Sequence, residues 1–268
     1  MKERHSFGTI LLIAAVILVL LFLYFPVVIV ALYSFNKDSI NSFPMGGFTF
    51  HWYGVMVHNQ PLTTSLVNSI GVAFSGTCIA ILIGVPGALG MHKYNFPGKK
   101  ALEKVVILPM MLPGIITGIA ILTFLEMAGI MQGRLAVILG HSTFLIGTVL
   151  PQVYTRLRQL DRNIEEASQD LGASGFQTFF YVILPNIKTS VFGAALLSFS
   201  LSLDEIPVTY FLNGVFTTLP IRILAMTRNG FTPEINAICT IILLLSVFAV
   251  VFSNSISKKD EVYAKNTH

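Results

Sequence analysis

The chain has 268 residues, 54% of them hydrophobic and only 11% charged, with a mean hydropathy of +0.75. Soluble domains carry about 25% charged residues, so this composition excludes a soluble enzyme or binding module and places the chain in lipid. The net charge of +4 comes without any basic, aromatic-interleaved surface, which excludes nucleic acid as a partner.

A helix that spans a bilayer needs about 20 mostly apolar residues. Six stretches supply them: residues 9–33, 66–91, 105–127, 135–154, 190–212 and 235–255. The reading is an all-α, polytopic membrane protein, one transmembrane domain over residues 1–268 with six transmembrane helices. The first stretch exceeds the roughly 7–15 apolar residues of a secretion signal, and no small-residue cleavage pattern follows Tyr33; it is read as a retained span. With the amino terminus inside, thirteen of the 17 Lys and Arg fall in inner segments and four in outer ones. The positive-inside rule then puts both termini in the cytoplasm.

The first outer connection, residues 34–65, is rich in Asn, Ser, Gly and aromatics such as Phe43, Phe48, Phe50, Trp52 and Tyr53. It suits an interfacial belt or a short helix on the outer surface. His51 and His58 share that connection without an evident third ligand, and Cys78 and Cys239 sit in separate helical runs, so neither a metal site nor a disulfide framework is expected. The inner turn that follows contains Pro97-Gly98-Lys99-Lys100, a strong turn signal. In the third stretch Pro109 and Pro113-Gly114 predict one helix with a kink, and Pro151 a similar break near the inner end of the fourth.

Between the fourth and fifth stretches, residues 156–186 turn polar while remaining compatible with helix. Asn163 is placed to cap a helix whose first turn carries Glu165 and Glu166, and Ile164, Ala167 and Leu171 form an amphipathic stripe. Gly172 and Gly175 are read as stop and turn. Small side chains at Ala167, Ser168, Gly172 and Ala173 let such a helix settle closely on another surface. The plainer reading is an interfacial helix that only links two spans.

The fifth stretch ends in Asp204-Glu205, with Pro207 close behind. A carboxylate at the centre of a membrane helix costs about 2.5–3.5 kcal/mol, so two in a row demand a cavity, a cationic partner or a break. Two readings stay open: one acid faces a water-filled path and attracts a cation, or it pairs with Arg222 or Arg228.

The spacing Glu166-Ala167-Ser168, Gly172, Leu184-Pro185 resembles the coupling signature of bacterial ABC-importer permeases, with Ser168 and Val182 in place of an alanine and an isoleucine. That resemblance implies a cytoplasmic coupling helix that docks in a separate ATP-binding subunit, present in two copies, through Glu165, Glu166, Ala167, Ser168, Gly172, Leu184 and Pro185. It also implies a second, homologous permease, an extracytoplasmic solute-binding protein, and a place in the bacterial inner membrane. No Gly-x4-Gly-Lys-Ser/Thr loop is present, so this chain is expected to bind no cofactor and to have no catalytic residues, ATP and Mg belonging to the partner. The runs Ser200-Leu201-Ser202-Leu203-Asp204-Glu205 and Leu219-Pro220-Ile221-Arg222 are similar to the second permease subunits of spermidine/putrescine importers. This implies polyamine import with Asp204 and Glu205 on the substrate route. The alternatives are the same machine carrying iron, thiamine or another organic solute, or an ion-gradient-driven transporter, whose usual inverted repeats are not visible here.

Overall fold

The structure, a computed structural model, describes residues 7–39, 43–228, 232–244 and 247. Among these the chain is helical without a β-strand, apart from one isolated bridge between Asn36 and Phe48. It divides into two compact units, residues 1–63 with 225–268, and residues 64–224.

In the first unit, α1 (Phe7–Tyr33) is apolar on every side. Its core window has a mean hydropathy of 3.1 and none of it is buried in the protein; Leu18 and Phe22 stand 68% and 78% exposed. A helix this greasy and this bare is solvated by lipid. The connection after it is knitted rather than loose. Trp52 donates its indole N–H to the Asn36 carbonyl at 2.7 Å, and Phe35 stacks on Phe48 with ring centroids 5.3 Å apart. The expected short helix is α2 (His51–His58). The sixth expected span is represented by a shorter apolar helix, Pro233–Leu244; apart from residue 247, the rest of that stretch lies outside the described residues.

The second unit takes in most of α3 (Gln60–Lys93), all of α6 (Arg134–Arg158), and the helices that pack on them. Helix α6 is the hub, with two-thirds (67%) of its apolar window buried. Leu145, Val149, Val153 and Leu157 repeat every four residues and meet Ala80, Val85, Ala88 and Met91 of α3, the spacing that puts a single stripe on each helix. At Gly147 an added Cβ would lie 2.8 Å from the Val106 carbonyl oxygen, so the missing side chain lets α4 (Lys99–Met111) reach the α6 backbone.

The structure corrects two expected spans. The third is not one kinked helix: α4 and α5 (Gly114–Met127) are bent by 105° at Leu112-Pro113. Proline drives the residue before it into extended backbone, and Leu112 has φ −72° and ψ 147°. The carbonyl of Pro109, deprived of the donor that Pro113 lacks, receives the Thr117 hydroxyl at 3.4 Å. The fifth span does not continue to Leu212. Helix α9 (Leu184–Leu203) stops before Asp204, and a separate short helix, α10 (Pro207–Leu212), follows. Pro207 has no N–H to offer the Leu203 carbonyl. Among the described residues four helices are long and apolar enough to cross a membrane, five if α4 and α5 count as one span.

Candidate functional site

The residues singled out in sequence gather at two places in the second unit. One is the polar segment between α6 and α9; the other is the break after α9.

In the polar segment, α7 (Arg162–Asp170) is capped by Asp161, whose carboxylate accepts the Asn163 N–H at 3.0 Å. The cap is therefore Asp161 and not Asn163: the acid two residues earlier satisfies the open N–H groups and also complements the helix dipole. At the other end Gly172 adopts φ +87°. Its N–H bonds the Gln169 carbonyl at 2.8 Å, and the Ala173 N–H bonds the Ser168 carbonyl at 3.1 Å, the paired bonds of a Schellman stop. Gly175 makes no turn; it opens α8 (Gly175–Thr178) behind a capping box of Ser174 and Gln177.

Helix α7 has two polar faces with different neighbours. Glu165 pairs with Lys93 at the end of α3, Nζ to Oε1 3.2 Å, the single ion pair among the described residues. Ser168 meets the Thr178 hydroxyl at 3.1 Å. These two expected contacts thus face the chain itself. Glu166, Ala167 and Gly172 are exposed, and Leu171 stands 90% exposed. Of these, Ala167 and Leu171, with Ile164, Ser168 and Val182, edge an open apolar groove. Ile164, Ala167 and Leu171 of the stripe are all exposed, left uncovered by the described residues.

Leu184 and Pro185 lie where α8 passes into α9 through one π turn, Phe179–Ile183. The wide turn has a local cause. Pro185 cannot donate to the Tyr181 carbonyl, so the ladder opens just ahead of it; the Asn186 side chain donates to the Val182 carbonyl at 2.7 Å. Arg156, near the end of α6, reaches the Asn186 carbonyl at 3.4 Å. The polar segment is in this way held at its entry and its exit.

At the break after α9 the two acids part company. Glu205 is half-buried and accepts the Val208 N–H at 2.9 Å, closing the amino end of α10. Asp204 is exposed and makes no side-chain hydrogen bond or ion pair among the described residues. Among the described residues of this unit, neither acid pairs with Arg222. Helix α5 closes on α10 through glycines: a Cβ at Gly114 would lie 2.7 Å from Pro207 Cβ, and one at Gly118 2.9 Å from Phe211 Cδ2. The two broken helices are packed break to break.

One residue at this place escaped the sequence reading. His141 of α6 is 1% exposed, with Nδ1 2.7 Å from Ser202 Oγ and Nε2 2.8 Å from Thr209 Oγ1. An ionisable side chain in a membrane helix is itself a signal, but the two partners are 61 and 68 residues away.

Known proteins resemble the chain in sequence and in fold. Residues 76–259 match the family described as binding-protein-dependent transport system inner membrane component. The spermidine/putrescine transport system permease protein PotC of Haemophilus influenzae is 35% identical over 240 residues, 89% of this chain and 93% of that protein. The putrescine transport system permease protein PotI of Escherichia coli is 33% identical over 230 residues, 83% of this chain and 82% of that one. A bacterial alginate ABC transporter, solved in complex with an alginate pentasaccharide-bound periplasmic protein, superposes with a TM-score of 0.73 over 96% of both chains at 16% identity, a likeness of fold. The match covers more than half of the chain, and the chain belongs to the family of binding-protein-dependent transport system inner membrane components.

Proposed function

We propose that this chain is a permease subunit of an ATP-driven importer for polyamines of the spermidine and putrescine type. The observation that carries the substrate class is the 33–35% identity, over more than four-fifths of the chain, to permeases named for those solutes. Chemistry supports the reading. Polyamines are extended polycations, and Asp204 offers them an exposed carboxylate with no partner of its own among the described residues. Glu205 serves the route indirectly by closing α10, which fixes the turn that carries Asp204.

The energy comes from a separate ATP-binding subunit, two copies per transporter, which holds ATP and Mg. It docks on the exposed side of α7, with Glu166, Ala167 and Gly172 in contact and Leu171 in its groove. Glu165, Ser168, Leu184 and Pro185 form the rigid backing of that contact. A second permease of similar fold completes the pathway, and an extracytoplasmic binding protein delivers the solute. Both termini and α7 lie in the cytoplasm.

The test is uptake of labelled spermidine in cells that depend on this transporter, with putrescine, thiamine and ferric ion as competitors. Competition by putrescine alone is expected, together with an ATPase subunit that co-purifies with the tagged chain. Competition by thiamine or iron would reassign the solute, and uptake without any ATPase partner would overturn the mechanism.

A further inference from the structure

We propose that His141 is a positioning residue for the substrate route: its imidazole, held as a single tautomer, clasps the two sides of the break that carries Asp204. The inference rests on the reading of Asp204 as a route residue and adds the device that sets its place.

The tautomer follows from the hydrogen-bond chain. The Thr209 hydroxyl donates to the Glu205 carbonyl at 2.9 Å. A hydroxyl has one proton, so Thr209 Oγ1 must accept from its other neighbour, His141 Nε2 at 2.8 Å. Nε2 therefore carries the ring proton, and Nδ1 of the neutral ring accepts from Ser202 Oγ at 2.7 Å. Proton direction runs one way, from Ser202 through the imidazole and Thr209 to the Glu205 carbonyl. Every member is satisfied, and Ser202, His141 and Thr209 are all buried.

The geometry decides what this chain of bonds holds. Ser202 belongs to the last turn of α9 and Thr209 to α10, so the ring bridges the segment on either side of residues 204–206. The backbone there has given up its regular ladder, and the Glu205 carbonyl is one of the bonds restored. The contact is tight because Gly140, next to His141, leaves room for Leu212 and Val208 of α10 against α6. Among the described residues of this unit, no other side chain hydrogen-bonds α6 to both sides of the break. Asparagine or glutamine can supply a donor and an acceptor, but not at the two ends of a rigid ring.

The test compares spermidine uptake by cells carrying the whole transporter with His141→Phe, Asp204→Asn, and both together, each normalised to the amount of assembled complex in the membrane. His141→Phe is expected to lower uptake per complex about tenfold. In the Asp204→Asn background it should add less than about a twofold loss, because coupled residues are not additive. The pair Ser202→Ala with Thr209→Val, which leaves the ring in place, should reproduce the His141→Phe loss. If His141→Phe lowers only the amount of complex while each complex transports normally, the residue is merely structural and the proposal is overturned. Losses that multiply in full overturn it as well. If Asp204→Asn transports normally, the reading of Asp204 falls separately; the hydroxyl pair then decides the clasp, which stands if that pair matches His141→Phe and is overturned if it does not.

Discussion

Adjacent residues can be chemically alike and structurally opposite, and Asp204 and Glu205 are such a pair. Glu205 holds the Val208 N–H at 2.9 Å, the work of a helix cap, whereas Asp204 faces outward from the C-cap position of α9. Replacing a capping side chain by alanine costs about 0.5–2 kcal/mol. Glu205→Ala should therefore lower the thermal midpoint of the purified complex by a few degrees. Asp204→Asn should leave the midpoint in place and slow polyamine uptake. A midpoint that falls with Asp204→Asn but not with Glu205→Ala would reverse the assignment. In the sequence the two acids called for a cavity, a cationic partner or a break, with Pro207 close behind, and which acid was free stayed open. That choice depends on which carboxylate reaches the first N–H groups of α10, a matter of one rotation about the chain. His141 was beyond sequence reasoning for a different reason: its partners are brought to it only by the packing of α9 and α10 on α6.

At the scale of the element, α7 shows how a short helix is made rigid enough to transmit force. Nine residues are too few for an isolated helix to be stable in water. Here Asp161 caps one end, Gly172 stops the other, and Lys93 and Thr178 anchor one face. The anchoring ion pair is part-exposed, with the lysine and glutamate side chains 49% and 24% exposed, and such a pair contributes at most about 1 kcal/mol. Glu165→Gln is thus expected to leave assembly with the ATPase subunit nearly unchanged. Glu166→Lys reverses charge on the outward face and should sharply reduce the ATPase recovered by gentle co-purification. Equal recovery from both variants would show that the outward face is not the contact. The existence of α7, its stripe and its glycine stop were legible in the sequence. Its cap was misplaced by two residues because Asp161 and Asn163 are both good capping types, and only the backbone geometry separates them.

For the whole molecule, hydropathy was a good guide wherever a helix runs unbroken. It located α1, α3 and α6 because their apolar lengths exceed what a bilayer requires. It failed at Pro113 and Pro207, although α1, α3 and α6 each carry an internal proline without breaking. Pro113 and Pro207 leave the composition of their segments greasy while cutting the hydrogen-bond ladder, so a window average passes over them without a trace. Within the second unit, α3 and α6 pack as the frame, and α5 and α10 meet at their interruptions.

The π turn ahead of Pro185 has a consequence for how motion passes from α7 into the bundle. In a continuous α-helix Thr178 and Ile187, nine residues apart, would point in opposite directions, since each residue turns the helix by about 100°. Both are nevertheless sealed from solvent, at 1% and 0% exposure. The surplus residue housed in the wide turn takes out about 100° and brings the two within roughly a quarter turn. Removing one residue from that turn, with Tyr181 the natural choice at 79% exposure, would preserve this phasing while converting a slack joint into a stiff rod. Such a shortened protein should assemble and bind its ATPase as before. Should its solute flux per ATP hydrolysed drop, the slack is a working part of the stroke; an unchanged ratio would mark it as nothing more than proline's local footprint.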